Sequence, residues 1–208
     1  MKKAIIFDYD GVIVDSFVSV FAVYKKTCQR FGVSCPETLE DFRKIYGYNY
    51  RECLSNLGVA EKDFPEASGI YKREIIKIDH ELFLGIREVI EKLSKKYKLY
   101  LISASHSEEV CPKIASFGLT NFFEKIYCGN DNRERKSEMF LDLFKEKNYS
   151  PTDVISIGDR AVDYEVAKKV GLADEDIILV TYGWGLDRNR IGHVNIANNP
   201  GEILSFIE

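Results

Sequence analysis

The chain has 208 residues, of which 45% are hydrophobic and 30% are charged. This length suits one domain, or one domain that carries an insertion, and the composition is that of a packed globular protein rather than a disordered one. The net charge is −4 and no basic stripe is interleaved with aromatic residues, so nucleic acid and membrane surfaces are not expected as partners.

The cysteines indicate a reducing compartment. There are five of them, an odd number, and none forms a C-x-x-C pair. No hydrophobic leader follows Met1, and no apolar run approaches the roughly 18 residues of a membrane-spanning helix. We therefore expect free thiols and a cytoplasmic location.

A short apolar stretch at residues 4–7 ends in two carboxylates, Asp8 and Asp10, and a glycine, Gly11. The stretch is too short for a helix face, and its β-branched pair favours a strand covered on both sides. Such a strand delivers both acids to the loop at its carboxyl end, where open parallel sheets bind their ligands. Taken alone, these residues are also compatible with an ordinary solvated turn.

Residues 17–80 show helical spacing. Phe17, Phe21 and Tyr24 recur at intervals typical of one helix face, and residues such as Gly58 and Pro65 separate further helical segments. The alternation expected of strands is not evident in this stretch. We therefore predict a small helical subdomain over residues 17–80.

Beyond Gly85, strands and helices alternate. Strands are predicted at residues 99–102, 126–128, 154–157 and 177–180, and helices at 86–93, 110–117, 137–147 and 162–170. Residues 182–208 are less patterned, with turn signals and a predicted short helix at 203–207. The alternation indicates an α/β fold with a doubly wound parallel sheet, built from residues 1–16 and 81–208.

Groups that suit a phosphate stand at four places in this pattern. Ser103 ends a strand, although a hydroxyl there is also compatible with a helix cap or a turn. Lys136 begins a helix, where a positive charge is unfavourable unless it faces an anion, and a solvated charged loop is the alternative. The full set is Asp8 with Asp10, Ser103, Lys136, and Asp159 with Asp163.

Together these places resemble the four motifs of the haloacid dehalogenase superfamily, in its phosphatase branch with a C1 helical cap. Asp8-Tyr9-Asp10-Gly11-Val12 resembles the D-x-D-G-[TV] motif, and the run from Gly158 to Asp163 resembles G-D-x-x-x-D. Ser103-Ala104-Ser105 is similar to the loop of β-phosphoglucomutases and related sugar-phosphate phosphatases. The lysine motif departs from the family pattern, because Ser137 replaces the usual proline after Lys136.

The resemblance implies a role for each motif. Asp8 is the expected nucleophile, which forms an aspartyl-phosphate, and Asp10 is the expected acid and base. Ser103 and Lys136 are expected to hold the phosphoryl group during catalysis. Mg²⁺ is the expected cofactor, with few protein ligands because it keeps several waters. The predicted metal site consists of Asp8, Asp10 through its carbonyl, Asp159 and Asp163.

Substrate contacts are predicted from the loops and from the helical insertion, which lies where this family carries its cap. Gly11, Ala104 and Ser105 are the expected contacts in the loops. Arg51 is the expected contact in the cap, although an ordinary helix connection is the alternative there. Further cap candidates are Arg43, Tyr46, Tyr48, Asn49 and Tyr50.

The resemblance therefore predicts a Mg²⁺-dependent phosphatase for a small phosphorylated metabolite of the phosphoglycolate or sugar phosphate type. Three alternatives remain open: a phosphoryl transfer like that of β-phosphoglucomutase, an inorganic pyrophosphatase, and a regulatory or binding protein without catalysis. The sequence does not decide between a monomer and a homodimer, and it does not name the physiological substrate.

Overall fold

The computed structural model describes residues 2–47, 50–129 and 136–207, and the chain forms two compact units. The core unit comprises Met1–Asp15 and Glu81–Glu208, and the helical unit comprises Ser16–His80. Within the described ranges, none of the helices combines the length and the apolar character needed to cross a membrane. Tyr48 and Asn49, two of the predicted cap contacts, lie outside the described residues.

Strands and helices alternate along the core unit, and helices dominate the helical unit. The strands are β1 (Ala4–Phe7), β2 (Val14–Asp15), β3 (Glu81–Leu82), β4 (Lys98–His106), β5 (Phe123–Gly129), β6 (Val154–Gly158), β7 (Ile177–Val180) and β8 (Asn195–Ala197). The α-helices are α1 (Phe17–Phe31), α2 (Leu39–Ile45), α3 (Tyr50–Asn56), α4 (Phe64–Ile75), α5 (Ile86–Leu93), α6 (Ser107–Ser116), α7 (Lys136–Lys147) and α8 (Ala161–Lys169).

A six-stranded sheet forms the centre of the core unit, in the order β5-β4-β1-β6-β7-β8. All of its neighbouring strands pair in parallel, and Ile5 of β1 lies between Leu99 of β4 and Ile155 of β6. This arrangement confirms the predicted α/β fold with a doubly wound parallel sheet.

The strand β1 is buried on both faces because helices cover both sides of the sheet. Successive side chains of a strand point to opposite faces. Ile5 and Phe7 accordingly join a hydrophobic cluster with residues of α5 and α6. Ala4 and Ile6 join a second cluster with residues of α7 and α8. The continuous apolar run in the sequence is thus explained by burial on two sides.

The order of the strands reverses at β1. From this strand the chain continues to β4 and β5 on one side of the sheet and then to β6, β7 and β8 on the other. Connections that diverge in this way leave a crevice beyond the carboxyl ends of the strands at the reversal point. The residues that follow β1, β4 and β6 are therefore candidates for the functional site.

Aromatic packing holds the helical unit together. The helical spacing of Phe17, Phe21 and Tyr24 places their rings along one face of α1. Phe42 of α2 is fully buried against this face, with its ring centroid 4.9 Å from that of Phe21 and 5.3 Å from that of Tyr24. The helix α2 begins at a capped end, because the Thr38 hydroxyl accepts a hydrogen bond from the Asp41 amide.

Two features of the core unit were not predicted from the sequence. The tail contributes the sixth strand, β8, which is only three residues long and too short to show a periodic pattern. The strands β2 and β3 form a separate antiparallel pair, in which Val14 lies opposite Leu82 and Asp15 opposite Glu81. The predicted final helix is a 3₁₀ helix that spans Pro200–Phe206.

Candidate active site

Asp8 is held at the carboxyl end of β1 by the main chain. Its amide donates a hydrogen bond to the Ile157 carbonyl on β6 at 2.9 Å, which extends the sheet ladder by one residue. The Tyr9 amide donates to Asp8 Oδ1 at 2.7 Å. Gly11 then adopts a φ of 76°, which is readily available to glycine, and the chain turns away. The side chain of Asp8 is therefore buried and fixed in orientation.

Lys136 joins two of the predicted site residues. It is the first residue of α7, and its Nζ contacts Asp8 Oδ2 and lies 2.7 Å from Asp163 Oδ1. Burial alone would lower the pKa of Lys136, but Asp163 and Asp8 outweigh burial and raise it above its usual value. The lysine at this helix start therefore faces anions, as the charge argument from the sequence required.

Asp159 and Asp163 lie beyond β6, and the main chain fixes both carboxylates. Asp163 Oδ2 accepts hydrogen bonds from the amides of Asp159 and Arg160, at 3.2 Å and 3.0 Å. A Cβ atom at Gly158 would lie 2.3 Å from the Asp163 Cβ, so only glycine permits this close approach. Asp159 Oδ2 accepts a hydrogen bond of 2.6 Å from the Trp184 amide.

Ser103 and Ser105 lie near the end of β4. Ser103 is buried, and its hydroxyl oxygen accepts a hydrogen bond from the Ser105 amide at 3.0 Å. The Ser105 hydroxyl donates to Asp10 Oδ2 at 2.6 Å, although the sequence suggested Ser105 as a substrate contact. Ala104, between them, is exposed. The structure thus links the serine loop directly to the second carboxylate of the β1 loop.

The structure brings most of the predicted catalytic and metal residues together within the core unit. Lys136 contacts Asp8 and Asp163, and the Asp159 amide donates to Asp163. Separately, Ser105 donates to Asp10. Arg51 lies on α3 of the helical unit, where its side chain is exposed. The catalytic roles of these residues, and the Asp10 carbonyl as a metal ligand, stay predictions.

The carboxylates of Asp8, Asp159 and Asp163 form a buried acidic cluster, in which one oxygen of each lies within 4.8 Å of the others. Burial raises the pKa of Asp8 to about 7, and the nearby charge of Asp163 adds to this against the lowering effect of Lys136. Burial, together with Asp163 and Asp8, raises the pKa of Asp159 well above its usual range. For Asp163, by contrast, Lys136 outweighs burial and lowers the pKa, so Asp8 and Asp159 are the members that resist ionisation.

The donor set of this cluster fits a divalent cation. Mg²⁺ prefers carboxylate oxygens and needs few protein ligands. Lys136 contacts Asp8 and Asp163, whereas the carboxylate of Asp159 accepts a hydrogen bond only from the Trp184 amide among the described residues. A divalent cation would supply the charge that Asp159 lacks.

Two residues that lie beside the site were not predicted from the sequence to belong to it. The side chain of Trp184 is buried, and its main-chain amide donates a hydrogen bond to Asp159. Glu109 is buried on α6, with a carboxylate oxygen within 4.8 Å of one of Asp10. Burial, followed by the charge of Asp10, raises the pKa of Glu109 to about 8, although Lys113 opposes this. The turn signal around Trp184 was the one sequence feature that marked this segment.

Comparison with known proteins identifies the family of this chain. The family model for haloacid dehalogenase-like hydrolases matches residues 5–173. A phosphorylated carbohydrates phosphatase from Thermotoga maritima is 28% identical over 215 residues, covering 99% of this chain and 98% of the relative. A phosphoglycolate phosphatase from Synechococcus elongatus is 24% identical over 188 residues, covering 89% of this chain and 85% of the relative.

A solved structure supports the same fold. A hydrolase of the haloacid dehalogenase-like family from Streptococcus pneumoniae superposes with a TM-score of 0.86 at 24% identity, covering 100% of this chain and 99% of that chain. At this identity the likeness shows the fold alone, whereas the family model covers most of the sequence and includes the loops that carry Asp8 and Asp159. This chain belongs to the haloacid dehalogenase-like hydrolase family.

Proposed function

We propose that the protein is a Mg²⁺-dependent phosphatase that hydrolyses a small phosphorylated metabolite of the phosphoglycolate or sugar phosphate type. The observation that carries the proposal is the pair Asp8 and Asp10 at the end of β1, with Lys136 in contact with Asp8 and Ser105 in contact with Asp10. The phosphatase names of the relatives support the same reaction class.

In the first step Asp8 acts as the nucleophile. One of its carboxylate oxygens attacks phosphorus, a bond forms between them, and the bond from phosphorus to the substrate oxygen breaks. Lys136 stabilises the negative charge near the reacting phosphoryl group. Asp10 donates a proton to the leaving oxygen, so the product departs as an alcohol and Asp8 carries an aspartyl-phosphate.

In the second step water hydrolyses the aspartyl-phosphate. Asp10, now ionised, accepts a proton from the water as its oxygen attacks phosphorus. The bond to Asp8 breaks, phosphate leaves, and both carboxyl groups return to their starting states. The hydrogen bond from Ser105 to Asp10 Oδ2 fixes one carboxylate oxygen, which leaves the other for proton transfer.

The acidic cluster would hold the metal ion through Asp8, Asp159 and Asp163, with the Asp10 carbonyl as the further ligand implied by the family. When bound, Mg²⁺ supplies positive charge that offsets the charge of the phosphoryl oxygens. The chain's own contribution comes from Lys136, which contacts Asp8 and Asp163 and whose charge favours their ionised forms.

In this proposal the helical unit serves as the cap. Residues 17–80 would select the substrate, with Arg51 as a contact for its anionic or polar part. Caps of this family choose substrates through side chains on their loops and helices, and loops commonly carry such functions. Replacement of Arg51 is therefore expected to alter KM more than kcat.

The experiment that tests the proposal measures phosphate release from p-nitrophenyl phosphate and from a panel of phosphate esters. We expect turnover that requires Mg²⁺, and we expect Asp8→Asn to lower kcat on the order of 10⁴-fold because it removes the nucleophile. Asp187→Asn is the matched control, since Asp187 is an exposed residue that caps a short turn. Activity that survives Asp8→Asn overturns the proposed role of Asp8.

A mutase is the second candidate, and Ser103-Ala104-Ser105 is the observation that favours it. Such an enzyme would keep the aspartyl-phosphate long enough to return the phosphoryl group to another hydroxyl of the substrate. Conversion of β-glucose 1-phosphate to the 6-phosphate without phosphate release would establish the mutase. Release of phosphate from the same substrate supports the phosphatase.

A further inference from the structure

The loop that follows β7 packs against the acidic cluster. Gly183 lies so close to it that an added Cβ atom would be 2.3 Å from the Gly11 carbonyl oxygen and 2.5 Å from Asp159 Oδ2. Gly183 is not among the glycines with a positive φ, so its backbone conformation is open to other residues. Close approach to Gly11 and Asp159, rather than backbone strain, is therefore what requires glycine at position 183.

The residues on either side of Gly183 fix the loop at this distance. Tyr182 packs its ring against Phe83, with centroids 4.7 Å apart, and its hydroxyl donates to the Val12 carbonyl at 3.2 Å. Trp184 is buried, with 6% of its surface exposed. Three consecutive residues, which we call the 182–184 segment, are thus anchored on both flanks of the glycine.

The main chain of this segment supplies the hydrogen bond that Asp159 receives. The Trp184 amide donates to Asp159 Oδ2 at 2.6 Å, and within the described part of the chain the carboxylate accepts no other hydrogen bond. Asp8 and Asp163, by contrast, are each held by Lys136 and by main-chain amides. The orientation of Asp159 therefore depends on the 182–184 segment more than on any charged neighbour.

We infer that the 182–184 segment is a positioning element for metal binding: Gly183 admits the main chain to the acidic cluster, and the Trp184 amide holds Oδ2 so that Oδ1 of Asp159 is presented to the cation. The inference rests on the proposed function, because it assigns the segment to the Mg²⁺ site of that reaction. Groups that orient a metal ligand commonly matter almost as much as the ligand itself.

Gly183→Ala tests the steric half of this inference. The added methyl group must displace Asp159 or the Gly11 carbonyl, so we expect the dissociation constant of Mg²⁺ alone, measured by isothermal titration calorimetry, to rise about 10- to 100-fold. At limiting Mg²⁺, we expect the fall in kcat to be larger than the change in KM for the phosphate ester. Gly201→Ala is the matched control, because its φ is also ordinary and its nearest neighbour, Asn199 Oδ1, is 3.3 Å from the added atom.

An amide-to-ester replacement tests the hydrogen-bonding half without adding volume. Incorporation of the α-hydroxy analogue of tryptophan at position 184 removes the N–H group and keeps the indole. We expect this protein also to bind Mg²⁺ more weakly than the wild type, with an unchanged circular dichroism spectrum. If Gly183→Ala does not fold, the ester protein alone decides the question.

The outcomes separate this inference from the proposed function. If the wild type binds no Mg²⁺ and shows no turnover, the proposed function fails. If the wild type binds Mg²⁺ and turns over, but the folded variants bind the ion within twofold of the wild type, only the positioning role is overturned. Weakened Mg²⁺ binding in both variants, with Gly201→Ala unaffected, supports the positioning role.

Discussion

At the scale of single residues, the contact between Ser105 and Asp10 leads to a specific prediction. Removal of the hydroxyl in Ser105→Ala frees the Asp10 carboxylate to rotate, because the hydrogen bond of 2.6 Å to Oδ2 is lost. A hydrogen bond to a charged group contributes about 1.5–3 kcal/mol, so we expect kcat to fall about 10-fold or more with a smaller change in KM. Steady-state kinetics on a phosphate ester measure both constants.

Ser107→Ala is the control for this prediction. Ser107 is exposed at the first position of α6, so the same chemical change there should leave kcat near that of the wild type. A wild-type kcat in Ser105→Ala would contradict a role for the hydroxyl in holding Asp10. An equal increase of KM in both variants would indicate a disturbed loop instead.

The sequence could predict the carboxylates of the site but not all of their partners. Asp8 with Asp10, and Asp159 with Asp163, stand in short contiguous motifs directly after apolar strands, so their meeting follows from the parallel sheet. The contact between Trp184 and Asp159 uses a main-chain amide 25 positions away in the chain. A main-chain donor has no residue type to mark it, and only the fold reveals where it points.

At the scale of elements, the aromatic face of α1 gives the second prediction. Phe42 is fully buried between rings of the helical unit, and Phe42→Ala leaves a cavity there. Substitutions of this kind cost about 3–5 kcal/mol, and we expect a loss of that size in the free energy of unfolding. Urea denaturation followed by circular dichroism measures the loss.

Phe42→Leu provides the comparison, because it keeps most of the buried volume and should cost less than about 1.5 kcal/mol. If Phe42→Ala lowers the free energy of unfolding by less than about 1 kcal/mol, the packing of α1 against α2 does not require the Phe42 ring. Ala and Leu both favour a helix more than Phe does, so a loss of stability in either variant reports the cavity rather than helix propensity.

Elements with a clear apolar pattern were predictable, and those without one were not. The helices α5 and α7 each present enough apolar residues to fix their period, and β1 is a continuous apolar run. The strand β8 has three residues, Asn195–Ala197, of which the first is polar. It becomes a strand because β7 offers a free edge beside it, which is a tertiary cause rather than a local one.

At the scale of the whole molecule, the acidic cluster makes the free energy of unfolding depend on pH. The pKa of Asp159 is raised in the folded state, so the folded protein binds a proton that the unfolded chain loses at lower pH. The stabilisation that this proton gives the folded protein is fully present below the pKa of Asp159 in the unfolded chain. It is lost as pH rises through the higher pKa of the folded protein. Without Mg²⁺, Asp159→Asn should therefore be more stable than the wild type near pH 8, and the difference should shrink toward about pH 4.

Asp153→Asn is a control with the opposite sign. Hydrogen bonds from the Ser150 amide, then Lys3, lower the pKa of the half-buried Asp153, so its stabilising effect is present at neutral pH and is lost as pH falls. Urea denaturation of both variants without metal, near pH 4 and near pH 8, gives the comparison. If the wild type is more stable than Asp159→Asn near pH 8, the ionised carboxylates of the cluster do not destabilise the folded protein.

The small antiparallel pair of β2 and β3 also has a consequence for how this enzyme family can diversify. Val14 lies opposite Leu82 and Asp15 opposite Glu81, so the chain leaves and rejoins the core unit at adjacent positions. Because the junction is closed by its own ladder, the inserted segment can change in length or identity at little cost in loop entropy and without a shift in the register of the sheet. Selection can then vary the helical unit while the residues of the core unit stay in place.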